Sequence, residues 1–156
     1  MIIICDLDGT IADLDHRLPM IKEGNKEWDK FHDSCDIDTP ILGVRAVLFA
    51  LLHNKNQVIY VTGRPESSRT KTRAWLDLHK FPTGSLHMRP NGNYNHDYIL
   101  KKEILYQDIL MSSTPTEWGK GITKEDILCV LEDRDSVVKM WREEGLTCLQ
   151  VKEGNY

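Results

Sequence analysis

Strand and helix patterns alternate along the whole chain, and this alternation constrains the fold more than any other feature. Short apolar runs predict buried strands, and they occupy residues 2–5, 58–61, 86–88, 127–131 and 147–151. Helical patterns lie between them: one opened by Pro40, one over 66–79, one with Asp97 as its N-cap and one ending at Gly145. Such alternation favours a parallel sheet with helices on both faces. We therefore expect an α/β protein, a Rossmann-like three-layer α/β/α sandwich around a mostly parallel five-stranded sheet.

The composition is that of an ordinary globular protein and narrows the classes of function. The chain has 156 residues, 40% of them hydrophobic and 28% charged, so we expect a single domain over residues 1–156. No apolar run approaches the roughly 20 residues that span a bilayer, and the apolar start lacks the basic leader of a signal peptide. The four cysteines have no close pair, which disfavours a disulfide scaffold. We expect a cytoplasmic protein with no membrane attachment and no evident protein partner.

Charge is unevenly distributed along the chain. The net charge of −4 argues against broad electrostatic attachment to DNA. Residues 64–102 nevertheless carry eight Lys or Arg against three Asp or Glu, whereas residues 1–40 carry ten acids against four bases. A basic middle beside an acidic start suits a site that holds a metal ion on one side and phosphate on the other. A solvated mixed surface would give the same pattern.

A pair of aspartates directly follows the first apolar run. Residues 6–10 read Asp-Leu-Asp-Gly-Thr. Because strand side chains alternate faces, Asp6 and Asp8 are expected to point the same way at the carboxyl end of the strand, where open α/β sheets bind ligands. Gly9 allows the sharp turn that follows. Two like charges this close are costly unless a divalent cation neutralises them, so the motif predicts a metal site.

Polar residues also end two further predicted strands. Thr62-Gly63-Arg64 follows the run 58–61, and Glu132-Asp133 follows the run 127–131. The carboxyl ends of parallel strands lie at one edge of the sheet, so these residues should meet Asp6 and Asp8 there. Each signal is modest alone, but the three together indicate one active site.

The combination predicts hydrolysis of phosphate monoesters. We expect Asp6 to attack phosphorus and form an aspartyl-phosphate, and Asp8 to protonate the leaving oxygen and later deprotonate the attacking water. Mg²⁺ is the expected cofactor, because hard oxygen ligands suit this ion. Its expected ligands are Asp6, the backbone carbonyl of Asp8 and Asp133, with Glu132 alongside. The cation would let an anionic carboxylate approach an anionic phosphate.

Four residues are expected to bind the substrate. Thr62 and the amide of Gly63 would bind phosphoryl oxygens, and Arg64 would reach the phosphate or the neighbouring substrate backbone. A lysine early in the helix from Asp97 would supply the remaining positive charge. Lys101 lies one turn into that helix and is the expected residue, because Lys102 would point about 100° away.

An acidic and polar insertion precedes the first long helix. Residues 16–38 are too few for a domain and suit a small cap over the site. A short helix over residues 25–31 would place Trp28 and Phe31 on one face. These aromatic side chains either pack the cap against the core or stack on a substrate base.

These motifs resemble those of the haloacid dehalogenase-like (HAD-like) phosphohydrolases. The resemblance rests on the Asp-x-Asp-Gly-Thr motif at 6–10, Thr62, Lys101 and the acidic pair 132–133. It spans nearly the whole chain and implies a HAD-like fold with the roles given above. This chain has Glu-Asp where the family often has Asp-Asp, a departure at Glu132.

Longer stretches are similar to the 3′-phosphatase domain of phage-type polynucleotide kinase-phosphatases. These stretches are residues 61–64, 72–75, 97–104, 132–134, 137–141 and 148–151. In that family the arginine after Thr-Gly contacts the substrate, and an aspartate four residues before the lysine supports the site. The resemblance therefore implies these roles for Arg64 and Asp97.

Three functions are open on this reading. A polynucleotide 3′-phosphatase acting on DNA or RNA ends is favoured by the resemblance, the basic stretch 64–102 and a cap small enough to admit a polymer end. A small-molecule phosphatase, such as a 5′-nucleotidase or deoxynucleotidase, is favoured by the negative net charge and by Trp28 and Phe31. A non-catalytic binding module is disfavoured, because the expected catalytic set is complete. The expected partner is a phosphorylated nucleic-acid end or a nucleotide.

Overall fold

The secondary structure is given by a computed structural model that describes residues 1–22, 26–111 and 121–154. The strands are β1 (Ile2–Cys5), β2 (Ala12–Asp13), β3 (Thr39–Pro40), β4 (Gln57–Pro65), β5 (Ser85–Arg89), β6 (Ile127–Arg134) and β7 (Cys148–Gly154). The α-helices are α1 (Trp28–Asp33), α2 (Leu42–Leu52), α3 (Arg69–Leu78), α4 (Asp97–Ile104) and α5 (Asp135–Glu143). Each of the five expected apolar strands is present.

The central sheet has five strands in the order β5-β4-β1-β6-β7, and every pairing is parallel. In the middle, Ile3 of β1 is in register with Val58 of β4 on one side and Cys129 of β6 on the other. All four residues of β1 are buried, as expected for a strand covered on both faces. The α/β fold with a mostly parallel five-stranded sheet is confirmed.

Alternate residues of β1 pack into two different cores. Ile2 and Ile4 contact the apolar residues of α4 and α5, whereas Ile3 and Cys5 contact those of α2 and α3. This follows from the two-residue period of a strand. The same alternation continues past the end of β1, so that Asp6 faces the side of the sheet that α4 covers.

Two helix starts differ from the sequence expectation. The helix expected to open at Pro40 begins at Leu42, because Pro40 lies in β3 and pairs with Ala12 of β2 in a small antiparallel ladder. The helix expected over 66–79 begins as a 3₁₀ turn and becomes α-helical at Arg69. The expected helix end at Gly145 is present, and this glycine adopts a left-handed φ of 81°.

The cap lies between β2 and β3. It consists of a 3₁₀ turn (Leu18–Met20), α1, and a second 3₁₀ turn (Ser34–Ile37). The helix expected over 25–31 begins at Trp28, and residues 23–25 lie outside the described ranges. Phe31 is buried, whereas Trp28 is 46% exposed. The core-packing alternative therefore holds for Phe31 only.

The remaining expectations concern cysteines and membrane attachment. All four cysteines are free and buried. Three of them lie in strands of the sheet, and one lies in the cap. Among the described residues, no helix is long and apolar enough to cross a membrane.

Candidate active site

The expected site residues lie at the carboxyl ends of three adjacent strands. Asp6 follows β1, Thr62, Gly63 and Arg64 are in the last part of β4, and Glu132 and Asp133 are in the last part of β6. Because β1 lies between β4 and β6, the three groups meet at one edge of the sheet. This is the edge at which parallel α/β sheets bind ligands.

Asp6 is buried and shares a lysine with Glu132. The Lys101 Nζ donates to Asp6 Oδ1 at 2.6 Å and to Glu132 Oε2 at 2.7 Å. Lys101 is only 3% exposed, because α4 packs against the sheet on the side that Asp6 faces. The next residue, Lys102, is exposed and pairs with Glu144 instead. The structure therefore places Lys101, and not Lys102, in the site.

Burial and like charge control the protonation of this cluster. Burial and the Glu132 carboxylate raise the pKa of Asp6 to about 7, although Lys101 opposes the shift. Burial likewise raises the pKa of Glu132. Burial alone would lower the pKa of Lys101, but the charges of Asp6 and Glu132 outweigh it and hold that pKa well above its usual range. Two buried carboxylates thus compete for one ammonium group, which leaves unneutralised negative charge.

An all-oxygen acidic cluster occupies the same place. One ligand oxygen each from Asp6, Glu132 and Asp133 lie within 4.8 Å of one another, and the Thr10 hydroxyl lies 2.9 Å from Asp6 Oδ2 and 3.2 Å from Asp133 Oδ1. Buried carboxylates without sulfur or imidazole ligands fit a hard divalent cation such as Mg²⁺. The chemistry of these donors therefore fits the expected metal.

Asp8 has different partners from Asp6. Its Oδ1 accepts hydrogen bonds from the Arg17 guanidinium at 2.5 Å and from two nitrogens of Arg64 at 2.5 and 2.9 Å. Between the two aspartates, Leu7 is fully buried, and its carbonyl accepts the amides of residues 10, 11 and 12. Two arginines therefore neutralise the Asp8 carboxylate, which leaves the backbone carbonyl of Asp8 as its expected metal ligand.

Asp38 completes this second cluster. Its Oδ2 accepts from Arg17 and Arg64 at 2.7 Å each, so two guanidinium groups face two carboxylates. Arg17, Arg64 and Asp38 are all buried. Burial alone would raise the pKa of Asp8, but the charges and hydrogen bonds of Arg64 and Arg17 hold that pKa well below its usual range. The two arginines therefore favour the ionised form of Asp8, whereas burial and the Glu132 charge act against ionisation of Asp6.

Sequence reasoning missed Arg17 and Asp38, as well as the bridging role of Thr10. Arg17 and Asp38 lie at the two ends of the cap and meet across 21 residues. The sequence carries no sign that these two charged residues are buried, since the ion pairs that compensate them come from distant segments. Thr10, in contrast, belongs to the motif at 6–10, where a hydroxyl four residues after Asp6 is a recognisable signal.

Asp97 supports the site in another way than expected. α4 begins at Asp97 with His96 as its N-cap, so the expected N-cap role is wrong. The Asp97 carboxylate instead pairs with Arg89 and with Arg134, the latter at 2.5 Å. A Cβ atom at Gly63 would lie 2.8 Å from Asp97 Oδ1, so only glycine allows the carboxylate to lie this close to β4.

Thr62 and the basic stretch have largely internal contacts. The Thr62 hydroxyl is buried and accepts the amide of Arg64 at 3.2 Å. Most cations of residues 64–102 are paired within the protein: Arg69 with Glu66, Lys71 with Asp33, Arg73 with the Gly84 carbonyl, Arg89 with Asp97, and Lys102 with Glu144. The stretch is therefore not an open basic surface, and it does not by itself favour a polymeric substrate.

Comparisons with known proteins agree with this geometry. Residues 1–156 match the model of the family described as "Polynucleotide kinase PNKP phosphatase domain". A candidate bifunctional polynucleotide kinase/RNA ligase of Autographa californica nuclear polyhedrosis virus is 27% identical over 143 residues, which are 90% of this chain and 18% of that protein.

Solved structures give the same result. A chain in a structure of the Pnkp1/Rnl/Hen1 complex is 29% identical with a TM-score of 0.77, over 99% of this chain and 46% of that one. The tungstate-bound class C acid phosphatase of Bacillus anthracis, at 14% identity and a TM-score of 0.63, covers 99% of this chain and 67% of that one, and shares the fold. This chain thus spans less than half the length of the viral protein and of the chain from the Pnkp1/Rnl/Hen1 complex. With its whole length matched by one family model, the chain belongs to the HAD-like phosphatase domains of the polynucleotide kinase-phosphatase family and is a phosphatase.

Proposed function

We propose that this protein is a Mg²⁺-dependent phosphomonoesterase that removes the 3′-phosphate from DNA or RNA ends through an aspartyl-phosphate. The observation that carries the proposal is the buried Asp6 carboxylate, which Lys101 orients at the sheet edge beside Glu132 and Asp133. In this position the Asp6 carboxylate can attack the phosphorus of a bound phosphate group.

In the first step an Asp6 oxygen forms a bond to phosphorus while the bond from phosphorus to the sugar oxygen breaks. The departing oxygen takes a proton from Asp8. In the second step water attacks the phosphorus of the aspartyl-phosphate, its proton passes to Asp8, and inorganic phosphate and free Asp6 are released. Splitting the hydrolysis in this way replaces one difficult displacement by two easier ones.

The arginine cluster controls whether Asp8 carries a proton. In the free protein, Arg17 and Arg64 keep Asp8 ionised. Arg64 is buried and its guanidinium binds Asp8 and Asp38, so a phosphate dianion would reach it by displacing one of these carboxylates. Displacement of Asp8 would weaken the hold on that carboxylate and move its pKa upward. Thr62 and the Gly63 amide would bind the other phosphoryl oxygens, and Asp97 would hold Gly63 and Arg89 in place.

Asp6, Asp133 and the backbone carbonyl of Asp8 would hold Mg²⁺, with Glu132 alongside. When bound, the cation neutralises the approaching carboxylate and phosphate and stabilises charge in the transition state. The protein's own contribution is the fixed placement of the oxygens by Thr10 and by Gly154, where a Cβ atom would lie 2.7 Å from Asp133 Oδ2.

The substrate proposal is supported by the family and by relatives whose names refer to polynucleotide kinase, RNA ligase and an RNA repair complex. The test is release of phosphate from a 3′-phosphorylated oligonucleotide, compared with its 5′-phosphorylated isomer and with free mononucleotides. We expect turnover of the 3′-phosphorylated oligonucleotide in RNA or DNA form and none with Asp6→Asn. Turnover of mononucleotides alone would contradict the proposal.

A small-molecule phosphatase, such as a nucleotidase, is the second candidate. It is favoured by the internal pairing of the cations in residues 64–102, which leaves few of them to track a polymer backbone. The same panel separates the two, because a nucleotidase should gain no kcat/KM when the nucleotide is extended at its 5′ side.

A further inference from the structure

A cluster of aromatic rings lies on the cap helix α1. The Trp28 indole and the His32 imidazole are stacked, with centroids 6.0 Å apart and planes at 23°. Phe31 meets both rings edge-on, at 5.9 and 5.3 Å. Trp28 is 46% exposed, whereas Trp75 and Trp141 in the two cores are 1% and 0% exposed. Packing of the cap therefore does not account for Trp28.

The cluster is tied to the active site through Phe31. The Arg17 guanidinium lies 4.2 Å from the centroid of the Phe31 ring and donates to the Phe31 carbonyl at 3.4 Å. The same guanidinium binds Asp8 and Asp38. Phe31, which meets both other rings edge-on, is therefore linked through Arg17 to the proposed acid-base residue Asp8.

His32 is the second ring of the stack and is close to the charged residues of the site. Asp8, Arg17, Arg64 and Arg89 all influence its pKa, which burial lowers to about 4. Its Nδ1 is buried, and it is one of two such side-chain atoms in the described residues that have no hydrogen-bond partner. A buried polar atom without a partner is costly, so the stack is kept in this arrangement at the expense of a hydrogen bond.

We propose that Trp28 and His32 form a binding subsite for the base of the nucleotide that carries the reacting phosphate. The inference rests on the function proposed above and narrows its substrate to ends whose last base is unpaired and free to stack. The base lies against the exposed face of the stacked rings. Stacking on a ring pair that is already ordered tolerates any base, because every base offers a flat π-face.

The test compares two 3′-phosphorylated oligonucleotides that differ only in whether the terminal nucleotide has a base or is abasic. Stacking on an aromatic side chain is worth about 1–3 kcal/mol per base, so Trp28→Ala should raise KM for the first substrate by about 5- to 150-fold. We expect an unchanged kcat, an unchanged KM for the abasic substrate, and rescue by Trp28→Phe. The matched control is Phe49→Ala on α2, since Phe49 is equally exposed at 46% and should change neither KM.

A binding measurement keeps the inference testable if hydrolysis is not observed. Trp28 fluorescence is followed while each oligonucleotide is added to the Asp6→Asn variant, with Trp28→Phe in the same background as the reference. Quenching by the base-containing oligonucleotide and not by the abasic one supports the subsite. Equal KM changes on both substrates, or no base-dependent quenching, would overturn it. Failure of the wild-type protein to hydrolyse either 3′-phosphate would instead contradict the proposed function.

Discussion

The Lys101 ammonium is buried against two carboxylates, and its removal should be more damaging than that of any exposed lysine. We expect Lys101→Met to lower kcat by about 100-fold or more, because a fixed cation next to the reacting groups is lost. The free energy of unfolding should fall by about 3–5 kcal/mol, since a buried ion pair loses one partner. Steady-state kinetics and urea denaturation measure the two effects.

Lys102→Met is the matched control for this change. Lys102 is on the same helix, pairs with Glu144 and is more than half exposed, so kcat should be unchanged. Equal kcat values in the two variants would show that the orientation of Lys101 toward Asp6 has no catalytic use. A Lys101→Arg variant, which keeps the charge, checks that a loss of activity does not arise from unfolding.

Asp38 is expected to matter without reaching the reacting atoms. Asp38→Asn leaves Arg17 and Arg64 with Asp8 as their main anion, so stability should fall by about 3 kcal/mol. Its kcat should fall because the two guanidinium groups then hold Asp8 more tightly. Asp36→Asn, an exposed residue of the 3₁₀ turn that directly precedes Asp38, is the control for both thermal denaturation and turnover. A wild-type kcat in Asp38→Asn would contradict this account.

At the scale of single residues, the sequence analysis predicted the site residues that belong to motifs. It missed those that come together only in the folded chain. Asp6, Lys101 and Asp133 were predicted because each lies just after an apolar run or one turn into a predicted helix. Arg17 and Asp38 were missed because they pair with each other across 21 residues, and Asp38 pairs with Arg64 across 26. The mutual compensation of buried charges is a property of the folded arrangement, and no local pattern encodes it.

At the scale of secondary-structure elements, the positions of the strands were predicted correctly, but some strands are longer than predicted. β4 was expected over 58–61 and extends to Pro65, and β6 was expected to end at 131 and extends to Arg134. In both, the extra residues include the polar ones of the site. Glu132 and Arg134 stay extended because they pair with Gln150 and Gly154 of β7, whereas the pairing of β4 with β5 is irregular between Val61 and Pro65. The hydrophobic pattern marks only the part of a strand that packs in the core.

Glu144 joins three elements near the end of α5. Its carboxylate accepts from Lys102 of α4 and from Lys124, and it meets the Tyr106 hydroxyl in the π-helical segment Leu105–Leu110. The hydrogen bond from Lys102, with those from Tyr106 and Lys124, lowers the pKa of Glu144 to about 2. A carboxylate whose pKa is lowered on folding stabilises the protein above pH 4.5, and this contribution is lost as the pH falls toward 2.

We therefore expect Glu144→Gln to be less stable than the wild type by about 1 kcal/mol at pH 7, a modest value because the partners lie near solvent. The difference should shrink between pH 4.5 and 2. Thermal denaturation of the two proteins across this range measures it, with Glu143→Gln, an exposed neighbour, as the control. A difference that is constant with pH would show that the Glu144 charge is not responsible.

For the molecule as a whole, metal binding should link activity to stability. Removal of divalent ions with EDTA should abolish turnover, and Mg²⁺ should restore it. Because the ion relieves repulsion among Asp6, Glu132 and Asp133, it should also stabilise the fold, by about 2.7 kcal/mol at a hundredfold excess over its Kd. Differential scanning calorimetry detects this shift without any substrate.

Asp133→Asn should remove most of the stabilisation by Mg²⁺, whereas Asp135→Asn, an exposed residue two positions later, should retain it. A shift of the same size in Asp133→Asn would place the ion elsewhere. No shift in the wild-type protein would contradict the proposed magnesium site, and the activity measurement would then have to be explained by binding of the ion to the substrate.

The placement of Leu7 between the two aspartates has a consequence for inhibitor design. Its carbonyl accepts three amides, which fixes the backbone between Asp6 and Asp8. Asp6 therefore stays beside the carboxylates of Glu132 and Asp133, whereas Asp8 stays in a buried cluster whose two guanidinium groups are matched by two carboxylates. Only the first cluster carries an excess of negative charge, so a cationic arm directed at it is the feature that an inhibitor should have.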